Sequence, residues 1–185
     1  MEPSDPGRNP QWWRRAIYMV AGLVLLNSTA TSPSVATTSG TCATRSAGRE
    51  LDYWLGDWTV TSPGGTAGAT STVSLDLDQC LLIESWNSGE GHRGKNLFAF
   101  NSDDGNWHGL FADNKGRVHV FEGRVASGSA EFSGASRGPN GGATLNRIKV
   151  LRVTPNKVEQ IWEQSTDDGT TWATVFRGEY SRKRS

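Results

Sequence analysis

An all-β fold, an antiparallel up-and-down barrel of about ten strands, is predicted by three features of the chain. Short alternating segments are separated by turn residues at intervals of about ten positions, the rhythm of a meander rather than of helices. Glycine (22 residues) and tryptophan (8 residues) are abundant, which favours strands and tight turns. No long stretch carries helical periodicity, so one short turn within 49–55 is the most helix expected. A length of 185 residues suits a single domain with a single core.

Residues 1–36 read as a signal peptide. Arg14 and Arg15 form its positive start, 16–26 its apolar stretch, and small residues follow at Ser28, Ala30, Ser34 and Ala36. Ser34-Val35-Ala36 suits cleavage, with Ser28-Thr29-Ala30 as the alternative. The apolar stretch is shorter than the about 20 residues of a spanning helix, so export to the periplasm or the medium is expected, with no stable membrane anchor after processing. Residues 37–48, rich in Ser, Thr, Ala and Gly, should form a flexible segment pinned by Cys42, and 49–185 the barrel domain. Strands are expected at 58–62, 69–77, 80–87, 94–101, 107–112, 118–123, 129–133, 147–154, 157–165 and 172–181. The cysteines number two, Cys42 and Cys80, and an oxidising compartment would bridge them. Nineteen basic residues balance nineteen acidic ones, so charge recruits neither nucleic acid nor an anionic membrane.

Turns convert the strand list into faces. A two-residue loop at Asp78-Gln79 puts Leu75 opposite Leu82 and Val73 opposite Glu84, so Glu84 and Trp86 share an inward face with apolar neighbours. A two-residue loop at Pro155-Asn156 sets Val153 opposite Val158, Leu151 opposite Gln160 and Lys149 opposite Trp162. It turns Arg147, Gln160 and Trp162 inward and pairs Arg152 with Glu159 outside. The turn at 113–116 puts Trp107, Phe111, Val118 and Val120 on the interior side, and His108 and His119 together on the outer one.

Little of this is catalytic in pattern. Two histidines on one outer face lack a third ligand, so no metal site is assigned, and no nucleophile elbow, paired-cysteine motif or phosphate loop occurs. No catalytic residue and no cofactor are assigned. The stretch from Ser165 through Asp167, Gly169 and Thr171 to Trp172 fits Ser-x-Asp-x-Gly-x-Thr-Trp, a hairpin tip also seen in sialidase propellers. Here it is expected to cap the last hairpin, with no glycosidase implied. Glu84, Trp86, Trp107, Arg147, Gln160 and Trp162 remain as a ligand-binding set, because a buried carboxylate and guanidinium require each other, water or a ligand.

Leu51-Asp52-Tyr53-Trp54-Leu55-Gly56-Asp57-Trp58 resembles the Phe-Asp-Phe-Trp-Leu-Gly-x-Trp opening of a group of uncharacterised, exported, lipocalin-like bacterial proteins. Later landmarks are similar: Cys80 before Leu82, Glu84 and Trp86; Arg147-Ile148; and Gln160, Trp162, Glu163 and Ser165 before the hairpin tip. Tyr53 stands in place of Phe, and Gln79 in place of the Gly before the cysteine. The resemblance spans Cys42 to the C-terminus and implies a calycin-type barrel with a Cys42–Cys80 bridge, but transfers no activity. Related haem-binding barrels use a late-strand histidine; the last histidine here is His119, so haem is not expected.

The function expected is therefore an exported barrel that holds a small, partly apolar ligand. Two alternatives stand beside it: an enzyme of the same fold using buried Glu84 as acid or base, and a structural or interaction barrel with a filled interior.

Overall fold

The computed structural model describes Cys42 and residues 46–63, 68–138 and 141–184; the expected signal peptide lies outside these residues. Two 3-10 turns, Ala47–Arg49 and Asp52–Trp54, precede ten strands. The strands are β1 (Gly56–Thr61), β2 (Ala69–Asp76), β3 (Leu81–Asn87), β4 (Arg93–Asn101), β5 (Asn106–Asp113), β6 (Val118–Ala126), β7 (Ser129–Arg137), β8 (Ala143–Thr154), β9 (Lys157–Ser165) and β10 (Ala173–Arg182). Each pairs antiparallel with the next, and β10 returns to β1, closing an up-and-down barrel without a free edge. All ten expected strands are present. Among the described residues the helical segment begins earlier than expected and includes the turns Ala47–Arg49 and Asp52–Trp54.

The β2–β3 hairpin has the expected register, Val73 opposite Glu84 and Leu75 opposite Leu82. Cys80 N donates to Leu77 O at 3.0 Å, and Asp78 and Gln79 both have positive φ, as a type I′ loop requires. Two other hairpins are shifted by one residue, and a one-residue shift exchanges the faces of one strand. Between β5 and β6 the closing pair is Ala112 with Val118, and the loop ends in Gly116 at φ +78°. His119 consequently lies opposite Phe111 and points inward, while Val118 (56% exposed) and Val120 (61% exposed) lie outside. Between β8 and β9 the register shifts between Arg152 and Thr154, and the extra residue, Val153, is 57% exposed. Ile148 and Val150 are therefore buried and Arg147 faces out. Glu159 pairs with Arg177 of β10 rather than with Arg152.

One end of the barrel is closed by the N-terminal turns. Leu51 and Trp54 are fully buried, and Tyr53 donates its hydroxyl to Val150 O at 2.8 Å. Arg182 stacks its guanidinium 4.3 Å above the Trp58 ring and donates to Leu55 O at 2.7 Å. Gly56 makes this approach feasible: at φ +120° a Cβ there would collide with the Arg182 guanidinium. Below the plug, the rings of Trp54, Trp58, Phe98, Phe132 and Tyr180 fill the lower barrel.

Cys42 is disulfide-bonded to Cys80 in the β2–β3 loop, with Cα atoms 5.0 Å apart. Closing a loop of 38 residues restricts the unfolded chain, so the bridge should contribute about 3–4 kcal/mol. Reduction is expected to lower the melting temperature by several degrees or more, and an unchanged melting curve after full reduction would contradict this. Among the described residues no helix is long and apolar enough to cross a membrane.

Candidate functional site

A cavity of about 360 Å³ occupies the end of the barrel opposite the plug. Its walls are Trp86, Phe111, Trp162 and Phe176, its floor is Glu84, Asn96 and Gln160, and Arg117 and Val175 stand at its rim. Alternation along the strands brings these residues together. Glu84 lies two positions from Trp86 on β3 and directly opposite Asn96 on β4, while Gln160, Trp162 and Gln164 follow one another along the inner face of β9.

Glu84 has no exposed surface, and its partners are neutral. Ser71 Oγ donates to Oε1 at 2.8 Å and Asn96 Nδ2 to Oε2 at 2.6 Å. Tyr180 Oη lies 2.9 Å from Glu84 Oε1 and 2.6 Å from Gln160 Oε1. A single phenolic proton serves only one of these acceptors. A neutral Glu84 satisfies both contacts, its O–H donating to Tyr180 while Tyr180 donates to Gln160. Burial favours that state: it pushes the carboxyl above its ordinary value of 4.5, against the lowering by Asn96, Ser71 and Tyr180. Burial above all holds the Tyr180 hydroxyl protonated, well above its ordinary range.

The sign of the resulting pH dependence is fixed. An acid whose pKa is higher folded than unfolded contributes stability below its unfolded value, and loses it as pH rises through the folded one. The protein should therefore lose stability progressively above pH 4.5 relative to Glu84→Gln, which has no proton to release. Parallel melting curves for the two proteins across that range would refute a neutral Glu84.

His119 stands at right angles to Trp162, with ring centroids 4.8 Å apart. Burial, and then the neighbouring Arg117, lower its pKa and favour the uncharged ring. Asn146 supports the same wall by accepting from Trp162 Nε1 at 3.0 Å and from Gln164 Nε2 at 2.9 Å. At the rim, Arg117 is paired with Asp113 at 2.6 Å, and His92 Nε2 lies 3.0 Å from the same carboxylate oxygen. Burial raises the Asp113 carboxyl, but hydrogen bonds from Arg117, His92 and Lys115 outweigh this and leave it well below the usual range.

Four residues of the expected set, Glu84, Trp86, Gln160 and Trp162, line this cavity. Trp107 points inward but sits toward the plugged end, packed on Phe100 and donating to Glu50 Oε2 at 3.3 Å. Arg147 does not enter the barrel. The shift at Val153 turns it outward, where its Nε donates to Glu163 at 2.6 Å and its guanidinium covers the Trp172 ring at 4.1 Å. Trp172 belongs to the hairpin tip, where Thr171 N and Oγ1 donate to Asp167 and Gly169 N donates to Ser165 Oγ. The two bonds from Thr171, with one from Ser165 Oγ, hold the Asp167 carboxyl down at about 2.

Sequence reasoning did not find Asn96, His119 and Tyr180. Asn96 had a usable signal, since it lies one strand beyond Glu84 on the same parity. His108 lies outside, bonded to Asp104 at 2.8 Å, so the two histidines do not share a face. Among the described residues no group of three or more His, Cys, Asp or Glu is arranged to hold a metal. No protein-family model and no curated protein matches the chain.

Proposed function

We propose that the protein is an exported barrel that binds a small, partly apolar molecule, and that it belongs with the lipocalin-like group its opening motif resembles. The observation that carries this reading is the cavity itself, about 360 Å³ with aromatic walls and polar side chains at its base. That size lies within the roughly 300–1,000 Å³ of small-molecule sites, and the lining has the usual composition of apolar surface with few orienting polar groups. Export is supported by the leader pattern in 1–36 and by the disulfide. Acid–base catalysis finds less support, because Glu84 is fully enclosed by its partners and a general acid must reach the reacting atom.

Native mass spectrometry of protein purified from its own periplasm or medium tests the reading. A small-molecule adduct is expected on the folded protein, lost in His119→Trp, which fills the cavity. A bare mass in every preparation, together with no change in tryptophan fluorescence across a panel of small aromatic and aliphatic compounds, would remove it.

A further inference from the structure

Every charge near the cavity is already answered. The Arg117 guanidinium is held by Asp113 through its Nε at 2.7 Å and a terminal nitrogen at 2.6 Å, with His92 closing the cluster. Glu84 has no exposed surface, and its oxygens are occupied by Ser71, Asn96 and Tyr180. Arg147 is outside with Glu163. An anion entering this pocket meets no unpaired cation among the described residues, and an ammonium group meets at the floor a carboxyl with no exposed surface. Either would lose its hydration without a charged partner, the most unfavourable way to bury an ion.

Polar atoms without a charge, by contrast, are left over. Gln160 accepts from Tyr180 through its Oε1, and its amide NH₂ has no partner among the described residues. Gln164 is the reverse case: its NH₂ is used on Asn146 and its Oε1 is unpaired. Asn96 Oδ1, Trp86 Nε1 and His119 Nδ1 also lack a partner, but these atoms have no exposed surface, so what a ligand meets is the Gln160 donor and the Gln164 acceptor. Unpaired donors and acceptors therefore stand together on one lining, between the rings of Trp86, Phe111, Trp162 and Phe176. Such groups reward a ligand that both accepts and donates, and penalise one that does neither.

We infer that the pocket selects an uncharged, ring-bearing molecule carrying an amide or a similar paired carbonyl and N–H, with the carbonyl oxygen on the Gln160 amide. This rests on the binding function proposed above and names its ligand class.

Phenylacetamide, phenylacetate and phenethylamine share one ring and one spacing and differ in the charge of the end group. Titrated calorimetrically into the intact protein at neutral pH, the amide is expected to bind at least about tenfold more tightly than either ion. Gln160→Leu should abolish that preference. Equal or tighter binding of the acid or the amine overturns the inference, and so does failure of all three to bind. In that last case native mass spectrometry separates the two ideas: an adduct retains the binding function and loses only the ligand class, whereas a bare mass loses both. Should Gln160→Leu not fold, as judged by circular dichroism, the ranking by the unaltered protein decides alone.

Discussion

Glu84→Ala is expected to destabilise the barrel by about 4–6 kcal/mol, measured by urea unfolding below neutral pH. The substitution leaves Ser71 Oγ and Asn96 Nδ2 without the carboxyl oxygens they now reach and removes the donor to Tyr180 Oη, which keeps its bond to Gln160. Each buried group stranded in this way costs about 1–3 kcal/mol, and the void adds to the loss unless water from the cavity fills it. Glu84→Gln keeps the volume, an acceptor and a donor toward Tyr180, and should cost far less, about 1 kcal/mol. Combining Glu84→Gln with Tyr180→Phe should depart from additivity by more than about 0.5 kcal/mol, because the two side chains share one contact. Glu84→Gln with Arg147→Met should add within that margin, since Arg147 is engaged outside the barrel by Glu163 and Trp172. A loss below about 2 kcal/mol for Glu84→Ala would mean that these hydrogen bonds do not form the connected floor described above.

The contrast between Glu84 and Arg147 shows how far periodicity carries an argument. Alternation and a tight turn were sufficient for β2 and β3, because Val73, Leu75 and Leu82 face one way and Thr72, Ser74 and Ser85 the other. On β8 both faces are mixed, so the whole assignment rested on the turn, and a single bulged residue, Val153, reversed it. On β6 hydrophobicity points to the wrong face, whereas Trp107 and Phe111 of β5 lie inside as expected. Leu110, Val118 and Val120 are exposed, while the inward positions are Gly109, Phe111, His119 and Phe121. A glycine opposite a phenylalanine is what a crowded interior needs, for the Phe98 ring lies where a Gly109 side chain would be. The volume that Gly109 vacates and Phe98 fills belongs to three dimensions, and no alternation rule encodes it. His119 and Tyr180 were missed for related reasons: the first through the register of a three-residue loop, the second because β10 has no apolar partner pattern strong enough to orient it.

Trp54→Ala should cost about 5 kcal/mol, the upper part of the range for truncating a buried tryptophan. The ring is fully buried, stands 6.1 Å from Phe98 and 5.8 Å from Tyr180 between centroids, and belongs to a turn that plugs the barrel. Collapse around the void is restricted from several sides. Trp58 Nε1 donates to Trp54 O, Arg182 binds Leu55 O, and the strands on either side are closed into a ring. The lost packing also acts on the cavity, because Tyr180 has Trp54 on its edge and Glu84 and Gln160 on its hydroxyl. A loosened Tyr180 no longer fixes which end of the Gln160 amide faces the ligand, so the variant should bind more weakly and discriminate less between neutral and charged compounds. Trp54→Phe retains an aromatic ring beside Tyr180 and should recover much of both properties. Stability falling by about 5 kcal/mol in Trp54→Ala while ligand discrimination stays intact would separate the plug from the pocket, and Tyr180 would then be no more than a core residue.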